Sequence, residues 1–186
     1  MINIIFSQEY KNHDTGNHPE SIERIKVVNN LIIEEYSKHK HIEPTIADKK
    51  IISLVHDLEY VNKIYDSIPN SGFTYFDPDT IASPNSLKSY LLAVGGSVDA
   101  VKYILDNKNK GVFFCAHRPP GHHAEINKAM GFGVFNNVAI SAQYAQNSGK
   151  FKKILIVDFD VHHGNGTQHI FENNPNIYYA SSHQFP

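Results

Sequence analysis

The sequence predicts an α/β fold, an open parallel sheet flanked by helices, and three observations lead there. Residues 111–116 (GVFFCA) form a continuous apolar run with the texture of a strand buried on both faces, and residues 153–160 (KILIVDFD) form a second. Helical segments separate the strand-like runs, so strand, loop, helix, strand, helix and strand follow in order from residue 111 onward. The 186 residues, 41% of them hydrophobic, match the length of one domain and suffice to bury a core.

Taken in order, residues 2–7 read as a short apolar strand, followed by a polar stretch over 8–19. Ile22, Ile25, Val28, Leu31 and Ile32 recur at helical spacing and predict an amphipathic helix over 20–38. His56-Asp57 interrupts residues 51–68, which therefore predict two short helices, the second ended by Pro69-Asn70. Gly72, Pro78 and Pro84 make 71–85 a long loop, a kind of segment that in compact domains tends to be functional. Residues 86–107 predict a long helix in which Gly95-Gly96 permit close approach of a neighbour. After the strand at 111–116 come a glycine- and histidine-rich loop over 117–133, a helix over 136–146 and the strand at 153–160. A short helix at 169–173 and a third strand at 176–181 complete the order. There is no internal repeat or low-complexity segment.

Composition narrows the function. A formal net charge of −2 offers no electrostatic footprint for nucleic acid. No apolar run approaches the roughly 20 residues needed to span a bilayer, and the opening MINIIFSQEYKNHD lacks the basic start of a secretory signal. The lone Cys115 excludes an internal disulfide framework and reads as an inert core residue. A soluble, cytoplasmic protein without nucleic-acid or membrane partners is expected; oligomeric state is left open. The unusual number is 12 histidines against two arginines and no tryptophan. Histidine titrates near neutral pH and is the commonest metal ligand.

Asp158-Phe159-Asp160-Val161-His162-His163 closes the second strand. Alternation puts Asp158, Asp160 and His162 on one face and Phe159 and Val161 on the other. Polar side chains on a buried face are costly unless compensated. A divalent metal compensates them directly, since carboxylate and imidazole are both good zinc ligands. The carboxyl ends of parallel strands are also where α/β sheets bind ligands. The plainer alternative is a strand tip emerging into solvent. A second group, His117-Arg118-Pro119-Pro120-Gly121-His122-His123, follows the first buried strand, and its adjacent histidines could act as general base and general acid. Gly131-Phe132-Gly133 and Gly164-Asn165-Gly166 lack the spacing of nucleotide-binding loops and read as backbone turns beside a crowded site. Phe132 is then either a pocket wall or a core residue.

RPPGHHA (118–124), GFGVFNN (131–137), DFDVHHGNGTQ (158–168) and YASSHQF (179–185) occur in this order. Together they resemble the histone deacetylase and acetylpolyamine amidohydrolase family, particularly its class II-like members. The resemblance is strongest over 111–186 and extends into 1–110 through HDTGNHPESIERI (13–25) and LVHDLEYV (54–61). It implies one deacetylase domain over 1–186 with an arginase/deacetylase-like sheet, truncated at its C-terminal side.

Carried onto this sequence, the resemblance makes Asp160 and His162 two of three zinc ligands and His122 and His123 the tandem active-site histidines. Asp158 matches the carboxylate that orients His122, and Asn165 the polar residue facing His123. Asn165 stands where some branches carry aspartate, which implies a less firmly held imidazolium at His123. Phe132, with Gly131 beside it, matches an aromatic of the acyl-lysine tunnel, and Asp79 a rim carboxylate gripping substrate backbone. The main-chain carbonyls of Asp158, Asp160, His162 and Ser182, with the side chains of Asp158 and Ser181, resemble a structural K+ site. Arg24 corresponds to an arginine of an inner cavity for acetate release. The remaining histidines read mostly as surface or turn residues.

The implied reaction is zinc-assisted hydrolysis of an acetyl-lysine or acetylpolyamine amide. The family's third zinc ligand and its oxyanion-stabilising tyrosine fall beyond YASSHQF, where this sequence does not reach. Little activity is therefore expected of these residues alone, the alternative being a non-catalytic acyl-lysine-binding module or an inert gene fragment.

Overall fold

A computed structural model describes residues 2–108 and 110–185. Strand β1 (Asn3–Ile5) leads through a 3-10 turn at Gln8–Asn12 into helix α1 (Ile22–Glu35). That helix turns Ile25, Asn29 and Ile32 inward at i, i+4, i+7 spacing, the apolar stripe of its sequence with one polar insertion. Strand β2 (Lys40–Ile42) and the short helices α2 (Lys49–Ile52) and α3 (Leu58–Asp66) follow. Asp48 caps α2 by accepting the Ile51 N–H at 2.8 Å, and α3 buries Tyr60, Val61 and Ile64.

Helix α4 (Ser86–Asp106) is the backbone of the core. A Cβ at Gly95 would stand 1.7 Å from the Thr45 carbonyl oxygen, and one at Gly96 would stand 2.6 Å from His117 Nε2. The glycine pair thus admits the chain at 45 and the root of the histidine loop against the helix. Tyr60, Val61, Ile64, Tyr90, Val94, Val98, Val134, Phe135 and Ile140 form the largest apolar cluster around it.

Strand β5 (Phe113–Cys115), helix α5 (Asn137–Asn147), strand β6 (Ile154–Asp158), helix α6 (Asn165–Phe171) and strand β7 (Ile177–Ser181) complete the order. The strand pairs β2–β1, β1–β5 and β6–β7 are all parallel, with helices flanking them, as the α/β reading requires. In the last pair the register runs from Ile154 opposite Ile177 to Asp158 opposite Ser181.

The structure departs from sequence expectation in four places. β2 is an unforeseen strand, because Lys-His-Ile carries no apolar pattern. Residues 71–85 are not a plain loop: β3 (Thr74–Asp77) and β4 (Thr80–Ala82) pair as an antiparallel hairpin across Pro78-Asp79. The turn residues masked two short runs of strand formers. Residues 164–166 are the start of α6 rather than a free turn.

The fourth departure concerns the apolar strands, which are not buried on both faces. Phe114, Leu155 and Val157 are 52%, 63% and 61% exposed. The hydrogen-bonded order is β2-β1-β5 in one sheet and β6-β7 in another. Phe113 and Cys115 of β5, and Ile156 and Val157 of β6, line a cleft of about 850 Å3 between the two, together with residues of α4 and α5. Within the described residues the cover that the apolar runs anticipate is therefore missing.

Candidate active site

The loop from β5 to α5 carries the histidine pair, and its root is held from below. Arg118, 3% exposed, donates from Nε to Glu20 Oε1 at 2.7 Å and from Nη2 to Glu20 Oε2 at 2.9 Å. Its Nη1 donates to the carbonyls of Tyr10 and His13. Burial pushes the Glu20 carboxyl up and the bidentate guanidinium opposes that shift. His13 is buried beside this pair and pushed down to about 3, first by desolvation and then by Arg118. It is therefore neutral, and its 3.6 Å approach to Glu20 is not an ion pair. His56 and His117 are each pushed down to about 4 by burial. His56 accepts the Asn136 N–H on Nε2, which leaves Nδ1–H for the Ile126 carbonyl. These three histidines are structural core groups, which corrects their reading as surface or turn residues.

Above that root, His122 and His123 lie with ring centroids 4.2 Å apart. His122 Nδ1 meets Asp158 Oδ2 at 2.9 Å, at the end of β6. The same oxygen accepts the Tyr179 hydroxyl at 2.9 Å, and Tyr179 in turn accepts the Gly164 N–H. Burial works to raise the Asp158 carboxyl, but hydrogen bonds from His122, the Asp160 N–H and Tyr179 hold it below the usual range. A Cβ at Gly164 would fall 2.4 Å from Asp158 Oδ2, so only glycine lets this group close. Gly164 thus stands beside a crowded site, whereas Tyr179 is a residue the sequence reading missed; the signal available was strand alternation, which puts Tyr179 and Ser181 on one face of β7.

His123 Nδ1 meets Asn165 Oδ1 at 2.7 Å, at the first turn of α6. Desolvation, with His122 and His162 nearby, keeps His123 below the usual histidine range despite that bond. The ring sits against Gly131, where a Cβ would come within 2.2 Å of Cδ2.

Gly131-Phe132 form a two-residue turn closed by reciprocal hydrogen bonds between Met130 and Gly133, as expected of a backbone turn. Phe132 has φ +69°, rare for a bulky side chain. Its N–H donates to the buried Thr80 Oγ1, and its ring stands edge-on to His18 at 4.9 Å. Asp79 is exposed on the hairpin turn, next to Thr80, and its N–H donates to Asp77 Oδ1. Arg24 lines a separate cavity of about 170 Å3 with Glu20, His117 and Arg118.

Asp160 and His162 correct the strand reading. β6 ends at Asp158, and the chain then bends, so alternation does not reach them. Asp158 Oδ1 accepts the Asp160 N–H and Asp160 Oδ1 accepts the His162 N–H, local side-chain bonds that divert the backbone from the ladder. Phe159 is 86% exposed instead of packed. His162 Nδ1 and Asp160 Oδ1 stand 2.9 Å apart, and the His162 ring is 5.9 Å from that of His123. Carboxylate and imidazole here fit zinc in kind but supply two donors. Among the described residues no group of three or more His, Cys, Asp or Glu side chains is placed to hold a metal ion. Of the groups assigned to a monovalent cation, the Asp158 carbonyl accepts the Ser182 N–H and the Ser181 hydroxyl pairs with His183. No helix of the described residues is long and apolar enough to cross a membrane. Cys115 is pushed up to about 11 by burial, so its thiol stays protonated and unreactive.

Comparisons with known proteins give the family. The family model "Histone deacetylase domain" matches residues 18–186. A "Probable deacetylase" of Methanothermobacter thermautotrophicus is 34% identical over 98% of this chain and 54% of its own length. "Histone deacetylase 15" of Arabidopsis thaliana is 43% identical over 73% of this chain and 24% of its own. The crystal structure of the HDA15 HD domain superposes with a TM-score of 0.90 at 34% identity, covering 98% of this chain and 54% of that one. The chain thus spans about half the length of that deacetylase and of the HDA15 HD domain, and over that span it belongs to the histone deacetylase domain family.

Proposed function

We propose that these residues form the histidine-bearing part of a single zinc-dependent deacetylase domain that hydrolyses acetyl-lysine or acetylpolyamine amides in the cytoplasm. The observation that carries this reading is the pair His122 and His123, side by side, each tied by Nδ1 to a different acceptor at a strand end or helix start. In both rings the Nδ1 proton goes to that partner, which leaves Nε2 free to exchange a proton with the reacting groups. His123, held neutral, takes the proton of the attacking water. His122, steadied by the ionised Asp158, takes part in protonating the departing amine. Phe132 and Gly131 wall the acyl chain, and Asp79 at the rim grips substrate backbone.

Asp160 and His162 are the residues that would hold zinc, with Asp158, Ser181 and Ser182 near the K+ position. Bound zinc supplies Lewis acidity towards the acetyl carbonyl. A catalytic zinc takes three protein ligands, and loss of one oxyanion donor alone costs about 10²–10³ in turnover. We therefore expect the 186 residues by themselves to bind zinc weakly and to turn over at most a small fraction of what a full-length relative does.

Calorimetry with zinc, and deacetylation of an acetyl-lysine peptide and an N-acetylpolyamine, test this directly. The expected result is weak zinc binding that disappears in Asp160→Ala and His162→Ala, with turnover down by at least about 10²-fold. Robust chelator-sensitive turnover would sink the low-activity expectation. Zinc binding indifferent to both substitutions would sink the site itself. Acetyl-peptide binding without hydrolysis would select the binding-module reading instead.

A further inference from the structure

From the surroundings of Asn165 we infer that Glu125 is a positioning residue that sets which nitrogen of His123 carries the proton. The inference rests on His123 acting as the proton acceptor proposed above. An asparagine facing a histidine is ambiguous by itself: its oxygen demands Nδ1–H, its amide nitrogen demands a bare Nδ1. Only the second outcome puts the proton on Nε2 and disables that nitrogen as a base.

What removes the ambiguity is the other end of the amide. Three groups that can only accept converge on Asn165 Nδ2: the Glu125 carboxylate, the His123 main-chain carbonyl at 3.4 Å and the Met130 thioether at 3.6 Å. The carboxylate is the charged member and makes the short contact, so it dominates. Nδ2 must point at Glu125, Oδ1 must then point at His123 Nδ1, and His123 must carry its proton there. Glu125 is itself held. Its Oε1 and Oε2 lie 2.9 and 3.1 Å from His169 Nδ1, and its N–H donates to the Lys128 carbonyl. A chain His169–Glu125–Asn165–His123 therefore runs from an exposed histidine to the site, with one orientation at every link. His122 needs no such arrangement, because Asp158 can only accept.

The tautomer is read without zinc or substrate, from long-range proton–nitrogen-15 correlation spectra of the histidines in the 186-residue chain. Failure here is thus distinct from failure to deacetylate. The His123 signals are identified by their loss in His123→Gln. In the unmodified chain they should show the Nδ1–H form. Glu125→Ala should lower the ratio of Nδ1–H to Nε2–H forms about tenfold, the weight of one hydrogen bond to a charged group. Glu125→Gln, which retains an acceptor oxygen, should restore it. Unchanged His13 and His56 signals certify the fold in each variant. An Nε2–H His123 in the unmodified chain, a tautomer ratio unmoved by Glu125→Ala, or failure of Glu125→Gln to restore it would each overturn the inference.

Discussion

Two regions of this molecule hold their histidines in opposite ways. Around the N-terminal part of the chain and the root of the histidine loop, His13, His56 and His117 are packed away from water and kept neutral. There they pack as uncharged groups, His13 beside Glu20, His56 between the Ile126 carbonyl and the Asn136 N–H, and His117 against Ser97. At the ends of β6 and β7, Asp160, His162 and His183 are open to solvent, and their polar bonds are local. His122 and His123 stand on the boundary, half-buried, each with one fixed partner. The difference teaches that residue type alone does not announce a site. A histidine enclosed in the interior is structural, and one at the boundary with a pinned Nδ1 and an open Nε2 is available for chemistry.

Acid should break this contrast with the largest effect. A buried histidine whose folded pKa lies below its unfolded value near 6.5 binds fewer protons folded than unfolded, so its stabilising contribution is present at neutral pH. It is lost as pH falls from about 6.5 towards the folded values, about 4 for His56 and His117. Each unit of depression corresponds to about 1.4 kcal/mol. Several kcal/mol should therefore disappear over that window, above the range where Asp158 and Asp160 protonate. Urea unfolding at stepped pH checks this; a flat profile between pH 7 and 5 would remove the buried histidines from the account.

A mutational comparison is next in size. Arg118→Ala leaves the Glu20 charge buried and unpaired and should cost about 3–5 kcal/mol. Asp160→Ala, on the open side, should stay within about 0.5 kcal/mol. Equal midpoints for the two variants would show that the regions do not differ as described. The smallest effect is expected at Phe132. Phe132→Asn relieves a left-handed backbone that asparagine tolerates but removes the ring from His18, so stability should change by less than about 1 kcal/mol while affinity for an acetyl-lysine peptide falls. A large loss of thermal stability would make Phe132 a core residue.

Much of the chain was legible because its signals are local. Ile22, Ile25 and Ile32 recur at 3.6-residue spacing, Gly95-Gly96 announce a close approach, and the apolar run before Asp158 marks a strand whatever surrounds it. β2 escaped because three residues pairing at an edge need no pattern. The hairpin at 74–82 escaped because Pro78-Asp79 reads equally as loop. Asp160 and His162 stand together but not on a strand, since alternation assumes the ladder continues, whereas side-chain bonds to the neighbouring N–H groups end it at Asp158.

By itself, then, the sequence determined the order of elements, the α/β class and the motifs that join the chain to its family. All of these depend on residues close together along the chain. Tertiary structure alone decided that Arg118 and Glu20, 98 positions apart, anchor the histidine loop. It also decided that His13, His56 and His117 are neutral core groups, and that Asn165 turns its oxygen to His123 because Glu125 claims its nitrogen. Protonation and orientation are set by desolvation and by partners brought from distant segments, and neither can be read from a residue's neighbours in sequence.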